Sequence, residues 1–289
     1  MFFKCKGSGG ANVTIDGVEV EEDLALSTGV MDMDVSTLPY SFTGGSAIVY
    51  KDEIHIIGSS DSSYYQSHYK YNGTSWTSVS TIPYTFCNGC AVVFKDLIHI
   101  LGGRGGNFTS HYRFNGTSWT SVSTIPYSFY YGSAVVFNEK IYNLGSGNSG
   151  YNRSVYQFDY RWTQVSPSLP YEFSHGGAVV LDNEIHIMGG DYVDAYKYHY
   201  KYNGTSWTNV STLPFSFRDS MITVYQGNIH ILGGLNHYKY NGTSWTHVST
   251  LTNGFGGSAI VYENAINILG GSSTDSYKKH CEVAKEYYY

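Results

Sequence analysis

Charge is scarce in this 289-residue chain. Lys, Arg, Asp and Glu make up 14% of it, only five residues are Arg, and the formal net charge is −6. A protein that grips nucleic acid carries a basic stripe to neutralise phosphates, and no such stripe is present. Long apolar runs are missing too. No stretch reaches the roughly 18 residues of a membrane span. The start, Met1-Phe-Phe-Lys-Cys-Lys-Gly, breaks off after Phe3 and does not read as a secretory signal. The expectation is a chain made in a cytoplasm that inserts into no membrane. Cysteine is limited to Cys5, Cys87, Cys90 and Cys281, too few and too scattered for a disulfide framework.

What is abundant is Tyr, with 29 copies, and Gly, with 33. That balance suits many short strands joined by tight turns and does not suit helices, which favour Ala, Leu, Glu and Lys. The Tyr also recurs in order. Tyr-Asn-Gly-Thr-Ser-Trp-Thr begins at Tyr71, Tyr202 and Tyr240, Phe114 opens the same phrase, and Phe158-Asp-Tyr-Arg-Trp162 is a degenerate copy. Pro39, Pro83, Pro126, Pro170 and Pro214 are spaced by 44, 43, 44 and 44 residues, and Trp76, Trp119, Trp162, Trp207 and Trp245 keep step with them. A fixed period of this length marks an array of one supersecondary unit.

One unit reads as four short strands. Gly45-Ser-Ala-Ile-Val-Tyr50 is small and apolar, Lys51-Asp52 is a turn, and Glu53-Ile-His-Ile-Ile-Gly58 alternates. After a variable loop, Gln66–Tyr71 alternates again. Asn72-Gly73 predicts a type I′ hairpin, whose two central positions want positive φ, and Ser75–Val79 is the last strand. Four antiparallel strands repeated six times predict an all-β, six-bladed β-propeller. The small first strand belongs innermost, where the blades crowd together, and the Trp strand outermost. Second-strand copies stand at His55, His99, Tyr142, His186, His230 and Asn267, yet only five blades own a Trp strand. Residues 29–39 align with 73–83, so a strand at about 30–36 is expected to supply the outer edge of the last blade and close the ring. The resulting division is an N-terminal Gly-rich and acidic arm at 1–28 and a propeller at 29–289.

The Gly pairs closing the second strand (Gly102-Gly103, Gly189-Gly190, Gly233-Gly234, Gly270-Gly271), the Tyr of the third strand and the Trp of the fourth resemble the kelch repeat over about residues 36–289. Kelch units usually carry a longer loop between that Tyr and Trp. Here the Asn-Gly-Thr-Ser link is short, which keeps one face compact. Enzymes on kelch-like propellers include copper oxidases and sialic-acid mutarotases. A Tyr/Cys/His copper set does not assemble from this sequence, and five Arg are few for handling sialic acid. The resemblance therefore implies a non-catalytic binding module without metal or cofactor. The Tyr-rich, weakly charged style is similar to that of bacterial and phage-encoded kelch proteins, some of which look like tail or baseplate components. That implies a cell-surface glycan or protein receptor as partner, a place in a virion, and an arm that attaches to virion structural proteins. The acids of the arm (Asp16, Glu19, Glu21, Glu22 and Asp23) suit either a solvated segment or docking on a basic partner. A carbohydrate-active enzyme and an intracellular adaptor are the rival classes; the enzyme would draw a pair from the few carboxylates expected at the channel mouth, Glu172, Asp219, Asp191 and Asp194, whose separation a sequence does not give.

In a four-stranded meander the loops between strands two and three share a face with the links between blades. Those loops vary, whereas the opposite face repeats its turns. Each link carries an aromatic pair (Tyr40/Phe42, Tyr84/Phe86, Tyr127/Phe129, Tyr171/Phe173, Phe215/Phe217) that either packs between blades or forms a ring of platforms for stacking. The two residues after each pair change chemistry from blade to blade: Thr43-Gly44, Cys87-Asn88, Tyr130-Tyr131, Ser174-His175, Arg218-Asp219 and Phe255-Gly256. Divergence of this kind is expected where identity is free or where a site is asymmetric. For a site, the candidates are Tyr130, Tyr131, His175, Arg218, Asp219 and Arg104, with Glu172 as the one acid inside an aromatic pair.

Three other motifs lead elsewhere. Eight of the 11 His obey the repeat on strands two and three, and two imidazoles without a third ligand make a poor zinc site, so structural pairing is expected. Cys87-Asn-Gly-Cys90 lacks the second pair of a zinc site and enters a strand rather than a helix. Asn-Gly-Thr at Asn72, Asn115, Asn203 and Asn241 matches a glycosylation acceptor, but the turn calls for Asn-Gly in any case.

Overall fold

A computed structural model describes residues 13–15, 18–20, 32–105, 108–148, 150, 152–191, 195–255, 257–271 and 278–283. Apart from the short pairing of Val13–Ile15 with Val18–Val20, the arm lies outside the described residues. The rest is a ring of six blades. Blade one is Ser46–Tyr50, Glu53–Ile57, His68–Tyr71 and Trp76–Ser78, each strand antiparallel to the next. Blades two, three and four repeat this order from Cys90–Phe94 to Trp207–Thr212. The six first strands lie side by side, round to Ser258–Tyr262 against Ser46–Tyr50. Their Ser, Ala and Gly residues line a channel of about 210 Å³. No α-helix occurs among the described residues, and none is long and apolar enough to cross a membrane.

The seam closes as expected. Asp32–Thr37 pairs with Lys279–Val283 from Val283↔Asp32 to Lys279↔Thr37, giving the sixth blade its outer strand. Blade five solves a different problem. Its loop after strand two is so short that strands two and three form one extended segment, Asn228–Tyr240. His230 Nδ1 and His237 Nε2 lie 2.8 Å apart within it. Straight strand would hold residues seven apart about 23 Å from each other, so the segment doubles back.

Two expectations about turns change places. The type I′ geometry sits between strands one and two: Lys51 and Asp52 (φ 51° and 57°), Lys95 and Asp96, Asn138 and Glu139, and Asp182 and Asn183 all have positive φ at both central positions. At Asn72-Gly73 only Gly73 does (φ 90°). There the loop is four residues long between Tyr71 and Trp76, and Asn72 Oδ1 accepts from the N–H groups of Thr74 and Ser75. Asn is present as a side-chain acceptor, not for left-handed backbone.

The link aromatics are pegs. Phe42, Phe86, Phe129, Phe173 and Phe217 are fully buried, and Tyr40, Tyr84, Tyr127 and Tyr171 nearly so. Tyr40 Oη donates to Gly58 O of its own blade at 3.0 Å, and Tyr84 and Tyr171 repeat the contact on Gly102 and Gly189. Those glycines in turn abut the Phe of the next link. A Cβ on Gly102 would stand 2.0 Å from Phe129 O, and one on Gly270 would stand 2.0 Å from Phe42 O, across the seam. Each pair thus ties two blades together. Burying one such ring contributes roughly 1.5–3 kcal/mol. The alternative reading as exposed platforms fails for these nine rings because they are covered; Phe215, the tenth, is half-buried.

Candidate functional site

Immediately after each buried Phe the chain turns into the first strand through a left-handed residue: Gly44 (φ 61°), Asn88 (54°), Tyr131 (54°), His175 (58°) and Asp219 (48°). Their backbones form a belt around the channel mouth. Asn88 N donates to Gly44 O at 2.6 Å, Tyr131 N to Asn88 O at 2.8 Å, His175 N to Tyr131 O at 2.7 Å, and Asp219 N to His175 O at 2.9 Å. Gly256, the sixth position, lies outside the described residues. Left-handed backbone is cheap for Gly, Asn and Asp but costs about 1 kcal/mol or more at Tyr131 and His175. The belt's hydrogen bonds hold it. Because main-chain atoms make these bonds, the belt holds whichever side chain a position carries.

The belt brings together side chains that are about 44 residues apart in the chain. The rings of Tyr131 and His175 stack at 3.9 Å with 24° between planes. Tyr131 Oη accepts from Arg104 Nη1 at 3.1 Å and Asn88 Nδ2 at 3.3 Å. The Arg104 guanidinium lies 5.7 Å from the Tyr131 centroid. Tyr130 meets Tyr131 edge-on at 5.7 Å and Phe108 at 5.2 Å. On the other side, Arg218 Nε reaches Asp191 Oδ1 at 3.0 Å and Asp219 Oδ2 at 3.5 Å, while His175 Nδ1 stands 3.6 Å from Asp191 Oδ2 and 3.3 Å from Ser174 Oγ. Burial lowers the His175 pKa, against the raising influence of Asp219 and Asp191. Desolvation raises that of Asp219, against His175 and Arg218. With 57% of its side chain exposed, Asp219 is largely screened by solvent, so this shift says little about stability.

Six of the seven residues singled out from the sequence therefore form one connected cluster spanning the faces of blades two to five. Glu172 is exposed on its link and makes no ion pair among the described residues. Two members were not singled out. Asn88 fills the belt position of its blade and carried that signal. Asp191 lies in a variable loop, where the sequence offered it with Asp194 only as a carboxylate facing the mouth; its convergence on Arg218 brings it into the cluster, and Asp194 lies outside the described residues.

The repeated histidines are paired inside the blades. His55 and His68, His99 and His111, His186 and His199, and His230 and His237 each meet at 2.8 Å, Nδ1 to Nε2. In blade six Asn267 replaces the first member, and His280 Nε2 meets its Oδ1 at 2.8 Å. Burial pushes His55, His99, His186 and His280 down to about 4, and His68, His111 and His199 down to about 3. Trp76 Nε1 and Trp245 Nε1 extend two of these networks to the neighbouring blade through Ser36 Oγ and Ser211 Oγ. Cys87 and Cys90 face different partners, Arg104 O at 3.7 Å and Gly132 O at 3.3 Å. Burial raises both thiols, that of Cys90 to about 12, which disfavours thiolate chemistry.

No family model and no curated protein matches the sequence. Among solved structures the chain is similar to that of YjhT, with a TM-score of 0.74 over 86% of this chain and 95% of that one, at 15% sequence identity. The likeness is one of fold.

Proposed function

We propose that this chain is a recognition module of kelch type. It presents its loop-rich face to a cell-surface glycan, with the cluster at the channel mouth as the contact site. The observation that carries this reading is the belt: main-chain bonds hold equivalent positions of neighbouring blades while Asn88, Tyr131, His175 and Asp219 supply four different chemistries side by side. The channel beneath, at about 210 Å³, is smaller than the ~300 Å³ at which small-molecule pockets begin, so the ligand rests on the mouth instead of entering it. Ring faces at Tyr130 and Phe108 offer apolar contact to sugar C–H groups, and the polar members offer hydrogen bonds. A place in a phage tail or baseplate, with the acidic arm at 1–28 docked on a virion protein, completes the proposal. A glycan array probed with wild type and Arg218→Ala tests the site. Removing this guanidinium frees two carboxylates, and binding is expected to fall at least about tenfold. Equal binding by both proteins would remove the cluster from the proposal, leaving a protein receptor on another part of the face.

One observation favours a second reading, a carbohydrate-active enzyme. Asp191 and Asp219 both reach Arg218 Nε, so two carboxylates converge at the mouth. A glycosidase holds such a pair about 5–9.5 Å apart across the scissile bond. Here their charge is committed to the guanidinium between them. Turnover of chromogenic glycosides by wild type, lost in Asp219→Asn, would establish the enzyme reading over simple recognition.

A further inference from the structure

We propose that the ligand read at this mouth is a neutral, hydroxyl-rich sugar, and that Tyr131 and His175 together recognise a hydroxyl pair on it. This rests on the reading of the mouth as a glycan site and narrows it to one chemical class.

The first line of argument is charge. The cluster holds two cations, Arg104 and Arg218, and two anions, Asp191 and Asp219. Arg218 Nε lies 3.0 and 3.5 Å from the two carboxylates, which together offset its positive charge and weaken its pull on a carboxylate, sulfate or phosphate of a ligand. Arg104 is engaged with the Tyr131 hydroxyl at 3.1 Å, and its guanidinium lies 5.7 Å from the centroid of the same ring. Burial disfavours the charged form of His175. The two guanidinium and two carboxylate groups sum to no net charge, and the chain as a whole carries −6. An acidic sugar would meet no net positive charge in the cluster, and the one guanidinium without a carboxylate partner, Arg104, is turned onto the Tyr131 ring and hydroxyl. A neutral one loses nothing.

The second line is hydrogen-bond inventory. Tyr131 Oη already accepts twice, from Arg104 Nη1 and Asn88 Nδ2, so its own proton remains to be donated outward. His175 Nδ1 stands 3.6 Å from the Asp191 carboxylate and 3.3 Å from Ser174 Oγ; the carboxylate favours the tautomer that carries the proton on Nδ1, in which Nε2 is an acceptor. A donor and an acceptor therefore sit on two rings stacked at 3.9 Å. Adjacent hydroxyls, one accepting and one donating, satisfy both. A carboxylate, which only accepts, satisfies one and leaves the imidazole lone pair facing negative charge.

The experiment is a glycan array carrying neutral oligosaccharides beside sialylated, uronic-acid and sulfated ones. It is probed at about 0.05 and about 0.5 M salt with wild type, Tyr131→Phe and His175→Asn. Phe keeps the ring and its stack, and Asn tolerates left-handed backbone, so both variants should melt close to wild type. The expected result is binding to neutral glycans, changed less than about twofold by salt and lowered about tenfold by either substitution. Binding confined to acidic glycans and weakened by salt would overturn the neutral ligand while keeping the glycan reading. Neutral binding indifferent to both substitutions would overturn the reading couple. Silence across the whole array would overturn this inference and the glycan reading with it.

Discussion

The aromatic pair of each link and the two residues that follow it are neighbours in sequence and opposites in behaviour. Phe129 is fully buried and its carbonyl meets Gly102 of the preceding blade, an arrangement repeated at Phe42, Phe86, Phe173 and Phe217. Two residues later, Tyr131 occupies strained backbone held by its neighbours' amides, and its side chain is half-buried. The first position is defined by its side chain and tolerates one solution. The second is defined by its main chain and tolerates several. Variation between repeats is therefore informative only when the backbone role is constant. It is constant here, from Gly44 round to Asp219.

The largest effect expected from breaking this ring lies at the seam. Deleting residues 1–36 removes nearly all of the strand Asp32–Thr37, exposes the edge of Lys279–Val283 and takes away Ser36, which holds both His280 Nδ1 and Trp76 Nε1. The melting temperature should fall by more than about 10 °C. An unchanged transition would mean that the sixth blade does not depend on the N-terminal strand. Next comes the peg: Phe129→Ala should cost about 3–5 kcal/mol in denaturant unfolding, because the void cannot collapse between two sheets. A loss under about 1 kcal/mol would erase the contrast with the belt.

Acid should act through the histidine pairs. In blades one, two and four the paired histidines have folded pKa values of about 3 to 4, below the unfolded value near 6.5. Stability is thus complete above about pH 6.5 and is lost as pH falls toward 4, where the unfolded chain binds protons that the folded one refuses. At pH 5 each such histidine loses about 2 kcal/mol, so a few suffice against a typical total of 5–15 kcal/mol, even where a pair shares one proton. Cooperative unfolding between about pH 6 and 4, followed by circular dichroism, is expected. Blade three supplies the control, since Tyr142 and Val155 stand where its neighbours carry the pair. His99→Tyr with His111→Val should move the acid midpoint downward. A midpoint that stays put would show that the pairs tolerate charge.

The blades were legible from Pro and Trp spacing because each repeat must bury the same faces, and the seam was legible because residues 29–39 echo 73–83. The turn at Asn72 was misread. Asn-Gly chemistry fits two geometries, and only the observed loop shows Oδ1 serving as the acceptor. The belt positions were visible as variable pairs, and those chosen for their chemistry, Tyr130, Tyr131, His175, Arg218 and Asp219, converge; Asn88 was passed over. Asn88 looked like its neighbours, and Asp191 belongs to a loop whose path to Arg218 depends on the angle between blades. Spacing along the chain reports which residues are equivalent. It does not report which ends of their side chains meet.

The smallest expected effect on stability separates the two regions most sharply. Tyr131→Gly removes a left-handed non-glycine residue, a relief of about 1 kcal/mol or more. It also removes the stack on His175, worth about 0.5–1.5 kcal/mol. The two nearly cancel, and the amide that donates to Asn88 O is kept. Unfolding free energy should therefore shift by less than about 1 kcal/mol, while glycan binding is abolished because the donor and half of the stack are gone. At Phe129, truncation by comparison should destroy stability first and binding only as a consequence. If Tyr131→Gly instead unfolds the protein as Phe129→Ala does, the belt is held by its side chains after all. The diversity at 88, 131, 175 and 219 would then need an explanation in packing rather than in recognition.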